Sequence, residues 1–343
     1  MKPWSVPLRG KLDEVEVDSR ALRGNRLGDP HVRPLWVYRP PAYEQDGARR
    51  FPTIYLIQGL TGQVDMWRNR SSFRPNVIEL VDELFARPET PPCLVVMVDA
   101  WTSLGGSQYV DSPATGKYQT YLCDDVVAFV DAKYRTKADR NHRALTGKSS
   151  GGYGAMVVPM MRPDVFGALA THAGDALFEL CYARTFGGTV RALREYGGSF
   201  EKFWADFRSR PALSKSGDHT LLNDYCMAAC YSADPDGTVR LPFDTTTAER
   251  IPDVWARWLA LDPVYMARRP DYARALKSMR AIYIDAGNRD EYYLDLGAEA
   301  FHRALLEIGI EDHFFELFDA THAAIEYRYP KAMAYLAERI SGE

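Results

Sequence analysis

A glycine-rich turn between a short strand and a helix constrains this chain more than any other feature. The stretch "RALTGKSSGGYGAMVV" (143–158) runs from an apolar strand-like segment into a helical pattern. Gly147 and Gly151 frame Ser149 as Gly-x-Ser-x-Gly, the spacing of a nucleophile elbow, in which the central residue takes a strained turn. The frame selects Ser149 as the nucleophile, and the N–H of Ser150 follows at the helix start. The alternative is a turn that only caps a helix.

Short apolar runs separated by helical patterns predict the architecture around this turn. The runs lie at 53–58, 93–99, 143–147, 167–172 and 281–287. Such runs are typical of strands buried on both faces of a parallel sheet, with helices packed on each side. Upstream, 15–19 and 33–41 alternate between apolar and polar residues, which predicts an antiparallel pair. The fold class is therefore α/β, with a mainly parallel sheet.

A segment of different composition interrupts the strand and helix rhythm. Residues 176–265 are rich in Trp, Tyr, Phe and Asp and are too long for a structureless connection. We expect a mainly helical cap, inserted within a single domain that spans 1–343, over the Ser149 elbow. We also expect a minority of its aromatic side chains to reach the pocket. The candidates are Phe200, Phe203, Trp204, Phe207, Tyr225, Tyr231, Trp255 and Trp258.

Composition excludes several classes of function. The 343 residues carry a net charge of −4 and no basic stripe, so we expect no nucleic-acid partner. The five scattered cysteines do not suggest disulfides or a metal site, and we assign no metal and no cofactor. No segment resembles a signal peptide or a membrane span, which predicts a cytoplasmic protein. The oligomeric state stays open, a homo-oligomer included.

A serine nucleophile needs a base, and the base needs an orienting acid. In an α/β-hydrolase both follow the serine in the chain, with the acid before the base. Asp290 lies in the turn "AGNRDEYY" after the last long strand, and His322 lies in the loop "DATHAAIEYRYP" after the next one. The order predicts a triad of Ser149, Asp290 and His322. His172 is the rival base, although it precedes Asp290.

Other carboxylates compete for the role of the acid. Asp285 lies within a strand, Asp319 is close in sequence to His322, and Glu291 begins a helix. Asp175, at the end of the preceding strand, is a credible substitute for Asp290. The remaining histidines, at 31, 142, 219, 302 and 313, are interpreted as surface or structural residues.

The second oxyanion donor should come from the loop after the first long strand. This loop reads "IYLIQGLTGQVDMW", and Gly59 allows a tight turn that presents the Leu60 N–H. With the Ser150 N–H, it would form the oxyanion hole. Candidate substrate-binding residues are Gln58, Gly59, Trp67 and Trp101.

These stretches resemble the putative-esterase family of α/β-hydrolases, which includes esterase D-type S-formylglutathione hydrolases, feruloyl esterases, enterochelin esterases and mycolyltransferases. The matching pieces are "WVYRPPAYE", "FPTIYLIQGLTG", "GKSSGGYGAM", "IYIDAGNRDEY" and "DATHAAIEYRYP". The resemblance implies the same Ser149, Asp290 and His322 triad. One departure is Gln58-Gly59, where the family often has His-Gly.

The leading hypothesis is a serine carboxylic-ester hydrolase that acts on a small-molecule ester through an acyl-enzyme. An acyltransferase that passes the acyl group to an alcohol or sugar is the first alternative. A non-catalytic binding module on a hydrolase scaffold is the second.

Overall fold

An eight-stranded, mostly parallel sheet forms the centre of the molecule in the computed structural model, which describes residues 7–71, 73–211 and 213–342. The strands of this sheet, numbered along the chain together with a two-stranded ribbon (β5 and β6), are β1 (Lys11–Asp18), β2 (Val32–Arg39), β3 (Thr53–Ile57), β4 (Leu94–Val98), β7 (Arg143–Lys148), β8 (Ala168–His172), β9 (Ala281–Gly287) and β10 (Phe314–Phe318). Their spatial order is β1-β2-β4-β3-β7-β8-β9-β10. The ribbon pairs β5 (Asp111–Ser112) with β6 (Gly116–Lys117).

The predicted fold class is confirmed. β1 pairs with β2, and β2 with β4, in antiparallel register, whereas the pairs from β4 through β10 are parallel. The inner strands β3 and β4 are buried at every position, as expected for strands covered on both faces. β1 alternates between exposed and covered residues, because it lies at an edge of the sheet.

Helices cover both faces of the sheet. They are α1 (Pro41–Gln45), α2 (Val77–Phe85), α3 (Tyr118–Thr120), α4 (Val127–Lys133), α5 (Ser150–Met161), α6 (Phe178–Cys181), α7 (Phe186–Leu193), α8 (Phe200–Ser209), α9 (Asp218–Tyr231), α10 (Pro252–Leu259), α11 (Pro263–Ala267), α12 (Pro270–Lys277), α13 (Leu294–Glu307) and α14 (Tyr329–Ser341). A π-helical stretch, Tyr121–Val126, joins α3 to α4. Among the described residues, no helix is both long and apolar enough to cross a membrane.

Two hydrophobic cores result from this layering. α2 and α14 pack on one face, where Ile78, Val81, Met333 and Leu336 meet the sheet. α5 and α13 pack on the other face, together with the helices α6 to α11 that lie between β8 and β9. Burying apolar side chains on both sides stabilises the inner strands and fixes their carboxyl ends. Those ends carry the loops that form the candidate site.

Candidate active site

Ser149 lies at a sharp turn between β7 and α5. Its backbone has φ 60° and ψ −127°, a conformation that non-glycine residues rarely adopt. The Ser149 N–H donates to the carbonyls of His172 and Ala173 at 3.0 and 3.1 Å, which ties the turn to the end of β8. Strain of this kind persists only where the surroundings hold it, and it is common at active sites.

The glycines on either side of Ser149 allow this turn to approach β3. A Cβ atom on Gly147 would lie 2.6 Å from the Ile57 carbonyl oxygen, and one on Gly151 would lie 2.4 Å from the same atom. Neither distance is compatible with a side chain. The Gly-x-Ser-x-Gly spacing is therefore required by the close packing of α5 and β7 against β3.

Asp290 and His322 are joined by a hydrogen bond at the ends of β9 and β10. The His322 Nδ1 lies 2.8 Å from Asp290 Oδ2, and the Tyr292 N–H donates to Asp290 Oδ1 at 2.8 Å. The Asp290 side chain is completely buried. Glu291 instead accepts a hydrogen bond from the His322 backbone N–H at 3.0 Å. The carboxylate that contacts the imidazole is thus Asp290, and not Glu291 or Asp175.

Ser149 and His322 line one cavity of about 480 Å³. Gly59, Leu60 and Trp67 also line it, as do several residues from the segment between β8 and β9. Those residues are Cys181, Tyr182, Arg184, Thr185, His219 and Asn223. Ser149 Oγ makes no hydrogen bond to the described residues, so it is free to contact a ligand. Contacts of a nucleophile with its base are often loose before substrate binds.

Two backbone N–H groups beside Ser149 have no acceptor in the described part of the chain. Among the described residues, neither the Leu60 N–H nor the Ser150 N–H donates to another group, whereas the Thr61 N–H donates to Gly105 O at 2.7 Å. The Ser150 N–H lies at the start of α5, where helix N–H groups are normally unpaired. Both residues line the cavity and could stabilise a developing oxyanion.

A lysine at the end of β7 restrains the histidine loop. Lys148 Nζ donates to the His322 carbonyl at 3.2 Å and lies 3.4 Å from Glu326 Oε1. The Tyr292 ring packs edge-on against the His322 ring, with centroids 5.0 Å apart. The lysine contact restrains the His322 backbone, and the Tyr292 ring packs against the His322 imidazole.

His172 belongs to a separate buried network. Its Nδ1 lies 2.6 Å from Asp285 Oδ1, and Asp285 Oδ2 accepts from Tyr283 OH and Arg328 Nε at 2.8 and 2.9 Å. His172 does not line the cavity, although its ring packs against that of Tyr329, which does. The Nδ1 of the rival histidine is therefore engaged by Asp285.

The sequence predicts His219 to be a surface or structural histidine, whereas the structure places it in the cavity wall. It lies in the first turn of α9 and lines the cavity. Burial, and to a smaller extent the proximity of His322, lower the pKa of His219. No local motif marks this residue, because its place depends on how α9 packs over the sheet.

Two of the predicted substrate-binding residues do not line this cavity. Gln58 and Trp101 face a separate space of about 10 Å³ that shares Gly59, Leu60 and Ser150 with the cavity. The Gln58 amide, with its nitrogen toward the Val98 carbonyl, accepts from the Ala100 N–H at 2.7 Å. Both polar atoms of the Gln58 amide therefore form hydrogen bonds with backbone groups at the end of the sheet. Gly59 and Trp67 do line the cavity.

The aromatic residues of the segment 176–265 lie mostly away from this cavity. None of the eight aromatic residues named for the segment 176–265 lines the cavity, and Tyr182 is the aromatic that this segment contributes. The eight pack mainly on one another and on neighbouring aromatics, as in the pairs Phe203–Trp204 and Trp255–Trp258. They form part of a core and leave the cavity surface to smaller and polar residues.

Comparison with known proteins identifies related chains. Residues 30–324 match the family described as Putative esterase. An uncharacterized protein of Corynebacterium glutamicum is 29% identical over 171 residues, which are 50% of this chain and 36% of that protein. An endo-1,4-beta-xylanase/feruloyl esterase of Xylanibacter ruminicola is 26% identical over 134 residues, which are 38% of this chain and 18% of that protein. This chain thus covers about a third of the length of the first relative and less than a fifth of the second.

The fold has relatives among solved structures. A ferulic acid esterase superposes with a TM-score of 0.62 at 19% sequence identity, over 97% of this chain and 100% of that chain. At this identity the similarity is one of fold.

Proposed function

The chain belongs to the putative-esterase family, and we propose that it is an esterase that hydrolyses a small-molecule carboxylic ester through Ser149, His322 and Asp290. One observation carries this proposal. The hydrogen bond from His322 to the buried Asp290 carboxylate lies beside the same cavity as Ser149, which is held in a strained turn.

Acylation of Ser149 is the first half of the proposed reaction. His322 Nε2 takes the proton of Ser149 Oγ as that oxygen attacks the ester carbonyl carbon. Asp290 accepts from Nδ1–H, which fixes the tautomer with a free Nε2 and stabilises the imidazolium that forms. The N–H groups of Leu60 and Ser150 hold the oxyanion of the tetrahedral intermediate. His322 then returns the proton to the departing alkoxide, which leaves as the alcohol.

Deacylation uses the same groups, with water as the nucleophile and with Ser149 Oγ as the leaving group that takes the proton back from His322. A water molecule gives its proton to His322 Nε2 and attacks the acyl-enzyme carbonyl, and collapse of the second intermediate releases the acid and restores Ser149. In the acyltransferase alternative, an alcohol or sugar hydroxyl replaces this water. The two reactions therefore differ only in the nucleophile that the cavity admits.

We further propose that residues 176–265 act as a cap within a single domain. The supporting observation is that Tyr182, Arg184, His219 and Asn223 contribute to the wall of the cavity. In this arrangement the sheet ends supply the reacting groups and the cap supplies walls that select the substrate.

Labelling and burst kinetics test the proposal. We expect a fluorophosphonate to label the wild-type chain at Ser149 and 4-nitrophenyl acetate to give a burst of one nitrophenol per active chain. Ser149→Ala should abolish both and lower kcat by roughly 10⁴-fold or more. Ser150→Ala is the matched control, because it keeps the backbone N–H, and it should stay labelled.

Other outcomes decide between the alternatives. Labelling at Ser150 would move the nucleophile by one residue. No labelling and no turnover of any ester in the wild-type chain would favour the binding module. A new ester product when methanol or glycerol is added, in preference to the free acid, would favour the acyltransferase.

A further inference from the structure

Asp175 presents a carboxylate to the cavity beside Ser150. The residue lies after β8, is 6% exposed and lines the cavity wall. Its Oδ2 accepts three hydrogen bonds, from Tyr182 OH at 2.7 Å, Gln108 Nε2 at 3.2 Å and Ser150 Oγ at 3.3 Å. Its Oδ1 accepts none from the described residues. The protein thus fixes one oxygen and leaves the other without a donor.

The donors to Oδ2 are themselves held in place. Gln108 is buried, has a φ of 51°, and also donates to Tyr231 OH at 2.8 Å. The next residue, Tyr109, has a φ of 54° and donates from its hydroxyl to the Gln58 carbonyl at 2.6 Å. Two consecutive residues in left-handed conformations carry strain, which the surrounding contacts maintain. The carboxylate is therefore oriented before any ligand binds.

Oδ1 faces the cavity without a donor from the described residues, so a ligand that places a hydrogen-bond donor there binds better than one that sets an apolar group against the carboxylate. Burial raises the pKa of Asp175, which is consistent with this desolvation. The three donors on one oxygen favour the ionised form, in which Oδ1 is an acceptor.

The chemistry of the cavity indicates which donor fits. The cavity wall holds the cations of Lys148 and Arg184, the carboxylates of Asp175 and Glu326, and the imidazoles of His219 and His322. A hydroxyl group can donate to Oδ1 without adding a further cation beside Lys148 and Arg184, whereas an ammonium group would add one. The donor must also lie near the reacting carbonyl, because Ser150, which contacts Asp175, directly follows Ser149.

We propose that Asp175 Oδ1 accepts a hydrogen bond from a hydroxyl group that the substrate carries close to its scissile ester. The preferred substrates are then hydroxylated esters, with the hydroxyl on either the acyl or the alcohol half. This inference rests on the proposed function, since it requires the ester carbonyl at Ser149. Asp175 acts in it as a specificity-determining residue and takes no part in proton transfer.

Pairs of esters that exchange a hydroxyl for a methyl group test the proposal. For the acyl half, each enantiomer of methyl 2-hydroxypropanoate is compared with methyl 2-methylpropanoate, and methyl 3-hydroxybutanoate with methyl 3-methylbutanoate. For the alcohol half, 2-hydroxyethyl butanoate is compared with propyl butanoate. We expect kcat/KM to be roughly 10- to 100-fold higher for the hydroxylated member of at least one pair, and that pair identifies the half.

Asp175→Asn gives the variant test. The three donors at the Oδ2 position require the amide oxygen there, so the amide NH₂ faces the cavity and an acceptor becomes a donor. The ratio of kcat/KM for the hydroxylated and methyl esters should fall by about tenfold or more. Because the ratio is taken within one variant, any general loss of activity cancels. Asp82→Asn is the matched control, since it alters another buried carboxylate whose hydrogen-bond partners, Arg9, Gly10 and Tyr38, do not line the cavity, and its ratios should equal those of the wild type.

Several results would overturn the proposal. A hydroxyl preference below twofold in every pair for the wild type would do so without any variant. An unchanged ratio in a folded Asp175→Asn variant would also do so, with the proposed function still intact if methyl esters are hydrolysed and fluorophosphonate labels Ser149. Absence of both hydrolysis and labelling in the wild type would overturn the proposed function together with this inference.

Discussion

Replacing Asp290 with asparagine should inactivate the enzyme while leaving its fold unchanged. The Tyr292 N–H donates to Asp290 Oδ1, so the introduced amide must place its oxygen there and its NH₂ toward His322 Nδ1. The imidazole can then only accept at Nδ1 and must carry its proton on Nε2. That tautomer has no lone pair to receive the proton of Ser149 Oγ.

The size of the effect follows from two losses. The base is in the wrong tautomer, and the imidazolium of the transition state loses the charge of a completely buried carboxylate. The corresponding change in another serine hydrolase lowers kcat by about 10⁴-fold. At about 1.36 kcal/mol for each tenfold change, this corresponds to roughly 5.5 kcal/mol of transition-state stabilisation. We expect a loss of the same order here.

The assay is kcat/KM for 4-nitrophenyl acetate at pH 7, with circular dichroism and thermal unfolding as checks on the fold. Glu291→Gln is the matched control, because its side-chain oxygen can still accept from the His322 backbone N–H, and it should keep activity within about threefold of the wild type. A loss below tenfold in a folded Asp290→Asn variant would refute the tautomer reasoning. The acid would then have to be sought elsewhere, with Asp175 the first candidate.

Two further predictions concern stability. Gly151→Ala should destabilise the fold by about 3 kcal/mol, because its Cβ would lie 2.4 Å from the Ile57 carbonyl oxygen. Denaturant unfolding measures the change in the free energy of unfolding, and a decrease of less than about 1 kcal/mol would contradict the prediction. Burial raises the pKa of Asp224 to about 6, above the unfolded value of 3.8, so its contribution to stability is present below pH 3.8 and is lost as pH rises through 6. The Tm of Asp224→Asn relative to that of the wild type should therefore rise between about pH 4.5 and 7.5, by an amount equivalent to at most about 3 kcal/mol. A difference in Tm that does not change with pH would contradict this prediction.

The sheet and its loops could be predicted from the sequence because the signals are local. The run "TIYLI" is apolar at nearly every position, and it forms β3 with all five residues buried. The glycine spacing around Ser149 is likewise a local requirement, set by the approach of α5 to β3. Chain order then supplied Asp290 and His322, which meet because β9 and β10 are parallel neighbours.

Side-chain directions could not be predicted, because they depend on residues distant in sequence. Gln58 was expected at the substrate, but its amide is engaged by the backbone at the end of β4 and just beyond it. His219 lines the cavity together with His322, although the two residues are far apart in the chain. The aromatic residues of 176–265 satisfy one another instead of a ligand, and composition alone does not distinguish these two uses.

The division of the cavity wall has a consequence for how such a protein can change over evolutionary time. Ser149, Asp290 and His322 follow strands of the sheet, whereas Tyr182, Arg184, His219 and Asn223 come from α9 and the turns around α6. Substitutions at these four positions do not alter the strands or the elbow glycines. Substrate preference can therefore change while the groups proposed to catalyse hydrolysis stay in place. A library confined to them should therefore retain a larger active fraction than one of equal size at strand ends.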